Sequence, residues 1–253
     1  MKILSARQLN IGYREKTIGH PFTFDLHTGK LYTLIGKNGI GKSTLIKTLS
    51  KLLPKISGEV LLNNQPIENF TTEHFAKEIS FVFTNQPIHQ DLTVYELIAL
   101  GRFPYTNWMN KLEENDEEII NNSLKITQLE DKRNKKIKHL SDGQVQRVLI
   151  ARAIAQDTHL IFLDEPSNHL DLYHKVQLYK LLKNLCVKHN KAIFLSSHDL
   201  ELSIQLSDEM LVIKEDGNYF GTPNELIENK VFDHFFDDDQ IVFNAEQKRF
   251  IIY

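Results

Sequence analysis

The 253-residue sequence has little cysteine, no long apolar run and no excess of positive charge. Cys186 is the single cysteine, which excludes an intrachain disulfide, and its neighbours Leu181, Leu182 and Leu185 predict a position in the core. No apolar segment approaches the ~18 residues that a membrane-spanning helix needs, and the N-terminus lacks a signal-peptide pattern. We therefore expect a chain that is made and kept in the cytoplasm and that reaches a membrane only through a partner.

The net charge of −3 provides no global basic field that would attract nucleic acid. The densest group of basic side chains, at residues 132–138, is short and fits a solvated helix end or loop better than a binding tract. The acidic run from Glu113 to Glu118 predicts the solvated start of a helix, because carboxylates stabilise the positive end of a helix. Both patterns are those of an ordinary globular protein.

A glycine-rich segment at residues 36–44, GKNGIGKST, matches the phosphate-binding pattern G-x-x-x-x-G-K-[ST]. A short apolar strand precedes it, and apolar residues at helical spacing follow it as far as Leu53, with Pro54 as a stop signal. Glycines let the backbone wrap around phosphates, whose oxygens are attracted by the free N–H groups of a helix start. We expect Lys42 to reach the β- and γ-phosphates and Ser43 to ligate magnesium. The residues predicted to bind the phosphates are Gly36, Lys37, Asn38, Gly39, Ile40, Gly41, Lys42, Ser43 and Thr44.

Apolar periodicity predicts a strand-rich first part, a helical middle part and a last part in which strands and helices alternate. The middle part, residues 91–156, is interrupted by the aromatic segment Gly101–Trp108. That segment is either a loop with its aromatic side chains tucked underneath or a docking surface for a partner. The predicted strands are 2–11, 22–26, 59–62, 79–83, 160–163, 192–195 and 210–213, followed by a C-terminal hairpin within 240–253. The alternation in the last part indicates a mainly parallel sheet with helices on its faces.

Two acidic residues, Asp164 and Glu165, follow the apolar strand at Leu160–Leu163. With a phosphate-binding segment upstream, this pattern predicts that Asp164 lies across from Ser43 and holds magnesium, directly or through water. Glu165 can then polarise an attacking water. An exposed strand end without chemistry is the alternative. Tyr13 closes the first strand, where its ring could stack on a nucleotide base or pack at an edge strand.

The segment Leu140–Gln144 reads LSDGQ and resembles the LSGGQ signature of ABC ATPases, with Asp142 where the family usually has glycine. Ser141 and Gly143 begin a helix, so their hydroxyl and N–H groups can bind a γ-phosphate. The resemblance implies that Ser141, Gly143 and Gln144 contact ATP held by a second copy of the chain, in a head-to-tail dimer that encloses two ATP molecules. ATP and Mg²⁺ are the implied cofactors.

Three further segments and two single residues resemble motifs of the same family, in the same order along the chain. Gly36–Thr44 resembles the Walker A loop, and Leu160–Glu165 resembles the Walker B strand with its glutamate. Ser167–Asp171 resembles the D-loop, which implies that Asp171 contributes to the nucleotide site. His198 resembles the switch histidine that contacts the γ-phosphate and orients the water, and Tyr13 resembles the aromatic residue of the A-loop. The resemblance covers essentially the whole chain.

One loop departs from the family pattern. The family places a glutamine, usually preceded by proline, after the strand that corresponds to Ile79–Phe83, where it senses magnesium and contacts the membrane partner. Here the equivalent position is Thr84 or Asn85, whereas Gln86 is followed by Pro87. Gln86 is favoured as the magnesium-sensing residue because of its length and its amide, and the other two positions remain open.

The resemblance implies an α/β fold of the P-loop NTPase type, with a RecA-like core, an antiparallel β subdomain and an inserted α-helical subdomain that carries the signature. It implies a single ABC ATPase domain over residues 1–253. Residues 1–86 and 157–253 would form the core with the β subdomain, and residues 87–156 would form the helical subdomain.

A single cassette without a long heptad insertion indicates the ATPase subunit of a transporter, since translation-associated relatives carry two cassettes and chromosome-maintenance relatives carry such an insertion. Leu92–Leu97, Ala99–Pro104 and Leu170–His174, with the short C-terminal hairpin, resemble the importers of iron–siderophore complexes, haem and cobalamin. The implied partners are a second copy, membrane permease subunits on whose cytoplasmic face the chain lies, and a substrate-binding protein, with no nucleic acid. The alternatives are another cargo, export, or a soluble ATPase that acts on nucleic acid or ribosomes.

Overall fold

The computed structural model describes residues 1–83, 88–106, 111–168, 170–236, 238 and 240–253. Within these residues the chain forms two main sheets, a C-terminal hairpin and eight α-helices. The strands are β1 Lys2–Tyr13, β2 Lys16–His27, β3 Leu31–Gly36, β4 Ser57–Leu62, β5 Gln65–Pro66, β6 Ile79–Phe83, β7 Leu160–Asp164, β8 Ala192–Ser196, β9 Glu209–Lys214, β10 Gly217–Gly221, β11 Ile241–Asn244 and β12 Arg249–Ile252. The helices are α1 Lys42–Leu49, α2 Thr72–Glu78, α3 Val94–Ala99, α4 Glu114–Ile126, α5 Asp142–Ala155, α6 Leu172–His189, α7 Leu200–Leu206 and α8 Pro223–Glu228.

The larger sheet has six strands in the order β10-β9-β3-β8-β7-β6, all parallel except β10. Every residue of β3 and of β8 is buried, as expected for central strands covered on both faces. The expected mainly parallel sheet is confirmed. Because the strands are parallel, the carboxyl ends of β3, β7 and β8 meet at one edge, where ligands of such sheets usually bind.

The second sheet is antiparallel, with the order β2-β1-β4-β5. One core cluster lies between it and the larger sheet and encloses α1, with Phe24 of β2 stacked on Phe194 of β8 at 6.0 Å between ring centroids. A second cluster covers the opposite face of the larger sheet and joins it to α3, α4, α5 and α6. A third cluster joins the sheet to α7, α8 and the hairpin β11–β12. The structure is therefore an α/β fold, with the helices of the middle part gathered on one face.

The helix after the glycine-rich segment is shorter than its apolar spacing predicts. α1 ends at Leu49, and Lys51 has a φ of 57°, in the left-handed region. The N–H groups of Leu52 and Leu53 turn back to the carbonyl of Lys47, which satisfies the free end of the helix. Leu52 is therefore exposed, and Pro54 lies beyond the true end of the helix.

Two further expectations require correction. The segment Gly101–Trp108 does separate α3 from α4, but its first part is a 3₁₀ helix over Leu100–Tyr105 rather than a loop, and residues 107 and 108 lie outside the described residues. The acidic run does begin a helix, but Asp116 is buried against Arg102 rather than solvated. Neither β10 nor α8 was predicted by the sequence pattern.

Cys186 lies in the core, as predicted, and burial raises the pKa of its thiol to about 12, which makes the thiol unreactive at neutral pH. The C-terminal hairpin is confirmed, with Ile241 paired with Ile252. None of the helices in the described part of the chain is long and apolar enough to span a membrane.

Candidate active site

The glycine-rich segment joins β3 to α1 at the carboxyl edge of the sheet. Gly39 and Gly41 have φ values of 77° and 112°, a region that side chains with a Cβ rarely adopt. Gly41 caps α1 through its backbone, and a Cβ on it would lie 2.9 Å from the side chain of Ile18. The segment thus keeps its backbone N–H groups near the positive end of an eight-residue helix, an arrangement that attracts phosphate.

Lys42 is buried at the first position of α1, with 4% of its surface exposed. Its ammonium group donates to the carbonyl oxygens of Gly36 at 2.9 Å and Lys37 at 3.2 Å. Burial lowers the pKa of Lys42, and the carboxylates of Glu165 and Asp164 partly offset this effect. The lysine is therefore held inside the loop, where its charge faces any anion that the loop binds.

Asp164 ends β7 beside the start of α1. Its Oδ1 accepts hydrogen bonds from Ser43 Oγ at 3.1 Å and from Ser196 Oγ at 2.7 Å. The predicted proximity of Asp164 and Ser43 is therefore present. A hydroxyl and a carboxylate are hard oxygen ligands, which suits Mg²⁺, an ion that keeps several waters and binds few protein groups. The donor set fits the magnesium ion that the sequence predicts.

Glu165 follows Asp164 with a φ of 52°, an uncommon conformation for a residue with a Cβ and one that is concentrated at functional sites. Its N–H donates to Ser196 Oγ at 2.9 Å. Its Oε1 accepts a hydrogen bond from His198 Nε2 at 2.6 Å, and its Oε2 accepts one from Asn168 Nδ2 at 2.5 Å. The two residues predicted to be catalytic are thus in direct contact.

Asp199 follows His198 and connects it to the segment that follows Glu165. Its carboxylate accepts hydrogen bonds from Ser167 Oγ at 2.8 Å and from Lys175 Nζ at 2.6 Å. Its backbone N–H donates to Ser197 Oγ at 3.0 Å, and the hydroxyl of buried Tyr179 donates to the same oxygen. The orientation of His198 is therefore tied to the segment after Glu165 and to α6.

The signature residues lie at the start of α5, away from this group of side chains. Ser141 caps α5, where its Oγ accepts from the N–H of Gln144 and its own N–H donates to Gln144 Oε1 at 3.2 Å. Asp142 is exposed in the first turn. A Cβ on Gly143 would lie 3.3 Å from the side chain of Leu170 of the same chain. Among the described residues, no hydrogen bond joins Ser141 or Gln144 to the glycine-rich segment of the same chain. That these residues serve a second copy stays a prediction.

Asp171 caps α6, and its Oδ1 accepts from both the backbone N–H and the ring Nδ1 of His174 at 2.8 Å. These hydrogen bonds lower the pKa of the Asp171 carboxyl. Tyr13 is 51% exposed at the end of β1, with its hydroxyl 3.5 Å from Thr44 Oγ1, so that its ring lies beside the glycine-rich segment. The candidates Thr84, Asn85 and Gln86 for the magnesium-sensing position lie outside the described residues, although Phe83 pairs with Asp164 in the sheet.

Three residues of this site carry no assignment from the sequence: Ser196, Asn168 and Asp199. Ser196 bonds Asp164 and the N–H of Glu165, and Asn168 bonds the Glu165 carboxylate. The position of Ser196 in the sequence could have predicted its role. It ends a strand that is parallel to β3 and β7, so its side chain lies at the same edge of the sheet as theirs.

Comparison with known proteins gives a consistent result. The family model described as "ABC transporter" matches residues 20–168. The petrobactin import ATP-binding protein YclP of Bacillus subtilis is 36% identical over 253 residues, which is 99% of each chain. The iron(3+)-hydroxamate import ATP-binding protein FhuC of the same species is 37% identical over 215 residues, covering 85% of this chain and 80% of that protein. Among solved structures, cbiO1 from Clostridium perfringens, part of the ABC transporter complex cbiONQ, superposes with a TM-score of 0.79 and 28% identity over 90% of this chain and 92% of that chain.

The expected P-loop NTPase fold of the ABC type is confirmed by these matches, and with it the binding of ATP. ATP-binding subunits of ABC importers work as dimers together with membrane permease subunits. The chain belongs to the ATP-binding proteins of ABC transporters, and it is an ATPase subunit of such a transporter.

Proposed function

We propose that two copies of this chain, arranged head to tail, hydrolyse Mg²⁺-ATP and thereby drive the import of an iron–siderophore complex or a related metal chelate. One observation supports the chemistry above all: Ser43, Asp164, Glu165 and His198 converge at one edge of one sheet, beside the glycine-rich segment. The phosphate-binding loop, the oxygen ligands Ser43 and Asp164, and the Glu165–His198 pair thus lie at the same edge of the sheet.

Each of these residues then has a distinct role. The N–H groups of residues 36–44 and the Lys42 ammonium bind the phosphates, and the Tyr13 ring stacks on the base. Ser43 and Asp164 would hold Mg²⁺, with Gln86 as the proposed third contact, and the ion would supply positive charge next to the phosphates. Glu165 accepts a proton from the attacking water.

His198 donates a hydrogen bond to the γ-phosphate. Because His198 also contacts Glu165, both side chains lie next to that phosphate. The second copy supplies Ser141, Gly143 and Gln144 at the positive end of α5, and Asp171 at the start of α6. Hydrolysis removes the γ-phosphate that these groups contact, so the two copies separate.

The proposed division of the chain follows the sequence motifs. Residues 1–86 and 157–253 form the nucleotide-binding core with its antiparallel sheet, and residues 87–156 form the helical part that carries the signature and packs on the larger sheet through a shared core cluster. The chain then lies on the cytoplasmic face of the membrane against permease subunits, which receive cargo from a substrate-binding protein. The cargo assignment rests on the relatives named for iron(3+)-hydroxamate and petrobactin import.

The variant Glu165→Gln tests the proposal. An amide cannot accept the proton of the attacking water, so ATPase turnover should fall by a factor of about 10²–10⁴. ATP binding should remain, and size-exclusion chromatography with ATP and Mg²⁺ should show a stable dimer. Glu228→Gln makes the same chemical change at an exposed position of α8 and should behave like the wild type.

Turnover near the wild-type rate in Glu165→Gln would remove Glu165 from its role as the base. The cargo is tested separately in cells that lack the native gene. Uptake of a labelled ferric siderophore should return with the wild-type chain and not with Glu165→Gln. If neither chain changes siderophore uptake although ATPase activity is normal, the chemistry stands and the cargo assignment is wrong.

A further inference from the structure

A cleft of about 200 Å³ separates α5 and the end of α4 from α6. It lies beside the signature, since Gly143 forms part of its wall, but none of Lys42, Ser43, Asp164, Glu165 and His198 lines it. The volume is below the 300–1,000 Å³ that is usual for drug-sized ligands, so any occupant is a small molecule. This cleft has no role in the function proposed above.

The side chains around the cleft favour an anion. Arg147 projects from α5 and Lys180 from α6, and no Asp or Glu is present among the described residues that line the cleft. The described hydrogen bond of Arg147 goes to a neutral amide, Gln128 Oε1, at 3.4 Å. A guanidinium group normally pairs with a carboxylate or phosphate, because its planar fork of donors matches them.

An unsatisfied amide supports the same conclusion. The Nε2 atom of Gln146, which lines the cleft, is shielded from solvent and has no hydrogen-bond acceptor among the described residues. Leaving a buried donor without an acceptor is costly, and nearly all such groups in folded proteins have a partner. A ligand oxygen inserted beside the Gln146 amide would satisfy this donor, while Arg147, the next residue of α5, would pair with a separate oxygen of the ligand.

The other side chains that line the cleft indicate which groups the ligand has besides its negative charge. Leu170, Leu178 and Leu181 provide an apolar surface, while Gln177 and Asn184 add amide groups at the α6 side. An inorganic anion would leave the leucine surface without a partner. A short carbon chain with carboxylate ends satisfies both the cations and the leucines.

We propose that this cleft is a binding site for a small organic dicarboxylate, which joins Arg147 and Gln146 on α5 to Lys180 on α6. Because α5 begins with the signature and α6 begins with Asp171, the ligand fixes the relative position of two segments that are proposed to face the partner's ATP. Binding itself does not depend on the proposed function, whereas its consequence for turnover does. A ligand of this kind stabilises the arrangement of the helices to which it binds.

The test uses glutarate as the probe and the full chain without nucleotide or magnesium. Isothermal titration and thermal shift should show binding at millimolar glutarate. Arg147→Gln should weaken the affinity at least about tenfold, the loss expected for one hydrogen bond to a charged group. Lys180→Gln, at the exposed rim, should weaken it about two- to fivefold. Lys188→Gln removes the same charge about 12 Å further along α6 and should leave the affinity unchanged.

A separate variant excludes binding at the phosphate loop. Lys42→Ala should still bind glutarate, and slower hydrogen exchange on binding should appear in the first turns of α5 and α6. The site is refuted if wild-type protein does not bind millimolar glutarate, if Lys42→Ala abolishes binding, or if Lys180→Gln and Lys188→Gln bind equally well. If Arg147→Gln does not fold, the comparison of the two lysine variants decides. Unchanged exchange in both helices would refute the proposed connection between them.

Discussion

Replacing Asp116 by alanine is expected to destabilise the fold strongly, although the acidic run that contains this residue predicts a solvated helix start. The side chains of Asp116 and Arg102 are only 7% and 3% exposed, and Arg102 Nε donates to Asp116 Oδ1 at 2.8 Å. Arg102 also donates to the carbonyl of Ala155 at 2.8 Å, and Asp116 Oδ2 accepts from the N–H of Glu113 at 2.9 Å. The ion pair therefore joins the 3₁₀ helix Leu100–Tyr105 to the start of α4 and the end of α5.

The magnitude follows from the burial of both charges. Removing one partner of a buried pair leaves the other charge without compensation, which costs about 3–5 kcal/mol of the free energy of unfolding. For a chain of this size, such a loss lowers the melting temperature by about 6–20 °C. The double variant Arg102→Met/Asp116→Leu should lose less than the sum of the two single variants, because neither charge then remains buried alone.

The stability that the Arg102–Asp116 pair contributes should decrease at acid pH. Burial raises the pKa of Asp116, but the hydrogen bond from Glu113 N–H and the Arg102 guanidinium outweigh this effect and hold the pKa below its usual value of 3.8. The ionised pair therefore stabilises the fold above pH 3.8, and this contribution is lost as the pH falls through the lower pKa of the folded state. The difference in stability between the wild type and Asp116→Asn should shrink in that acid range.

The assay is thermal and chemical unfolding followed by circular dichroism, with Glu73→Ala as the control. Glu73 forms an exposed pair with Lys77 on α2, and its loss should leave the melting temperature unchanged. An Asp116→Ala variant that melts within about 2 °C of the wild type would refute the reasoning, since a buried guanidinium without a counter-charge should lower the free energy of unfolding by more than that. The pair also positions Tyr105, whose ring centroid is 4.0 Å from the Arg102 guanidinium carbon. Tyr105 belongs to the segment Gly101–Trp108, which we propose docks the permease, so permease stimulation of the ATPase should fall as well.

Three further predictions concern the site and its partners. Ser141→Arg and Lys42→Ala should each be inactive, and mixing them should restore part of the ATPase activity through one intact shared site; no recovery in verified heterodimers would contradict shared sites. Asp199→Asn should keep ATP affinity but lower the single-turnover rate by up to about 10²-fold, because misplacement of a catalytic group has that scale of effect; an unchanged rate would show that His198 is positioned without it. Replacing Phe103 (53% exposed) and Tyr105 (38% exposed) by serine should spare basal ATPase and abolish permease stimulation, whereas unfolding would show that both belong to the core.

The sequence predicted the parts of the structure that depend on local chemistry. Glycines at positions of positive φ, an apolar strand before them and helical spacing after them define the loop at residues 36–44 without reference to the rest of the chain. Asp164 and Ser43 could be paired in advance because an apolar strand that ends in two acids, downstream of a phosphate-binding loop, is the pattern of a magnesium-dependent nucleotide site. The loop after Phe83 could not be assigned to one residue, and its candidates lie outside the described residues.

What the sequence did not predict depends on contacts between distant residues. Asp116 lies on the buried face of α4, at helical spacing from Ile120 and Leu124, but the arginine that compensates its charge belongs to a separate segment that the local pattern does not reveal. α1 ends at Leu49 against the local helical spacing, because Lys51 has a positive φ and the N–H groups of Leu52 and Leu53 bond the carbonyl of Lys47. Trp108, the third aromatic of the proposed permease-docking segment, lies outside the described residues, so its part in docking stays a prediction.

Several residues proposed to act on ATP are also the residues that begin helices. Ser141 caps α5 and Asp171 caps α6, and losing such a cap costs about 1 kcal/mol of helix stability even without a catalytic role. Loss of activity in a single variant at these positions therefore has two physical explanations. The mixing experiment separates them, because a subunit that has lost its fold cannot supply an intact Lys42 and Glu165 to a partner. Recovered activity with Ser141→Arg would mean that its own phosphate loop is still folded, and that the missing function lies in the contact that Ser141 makes across the dimer.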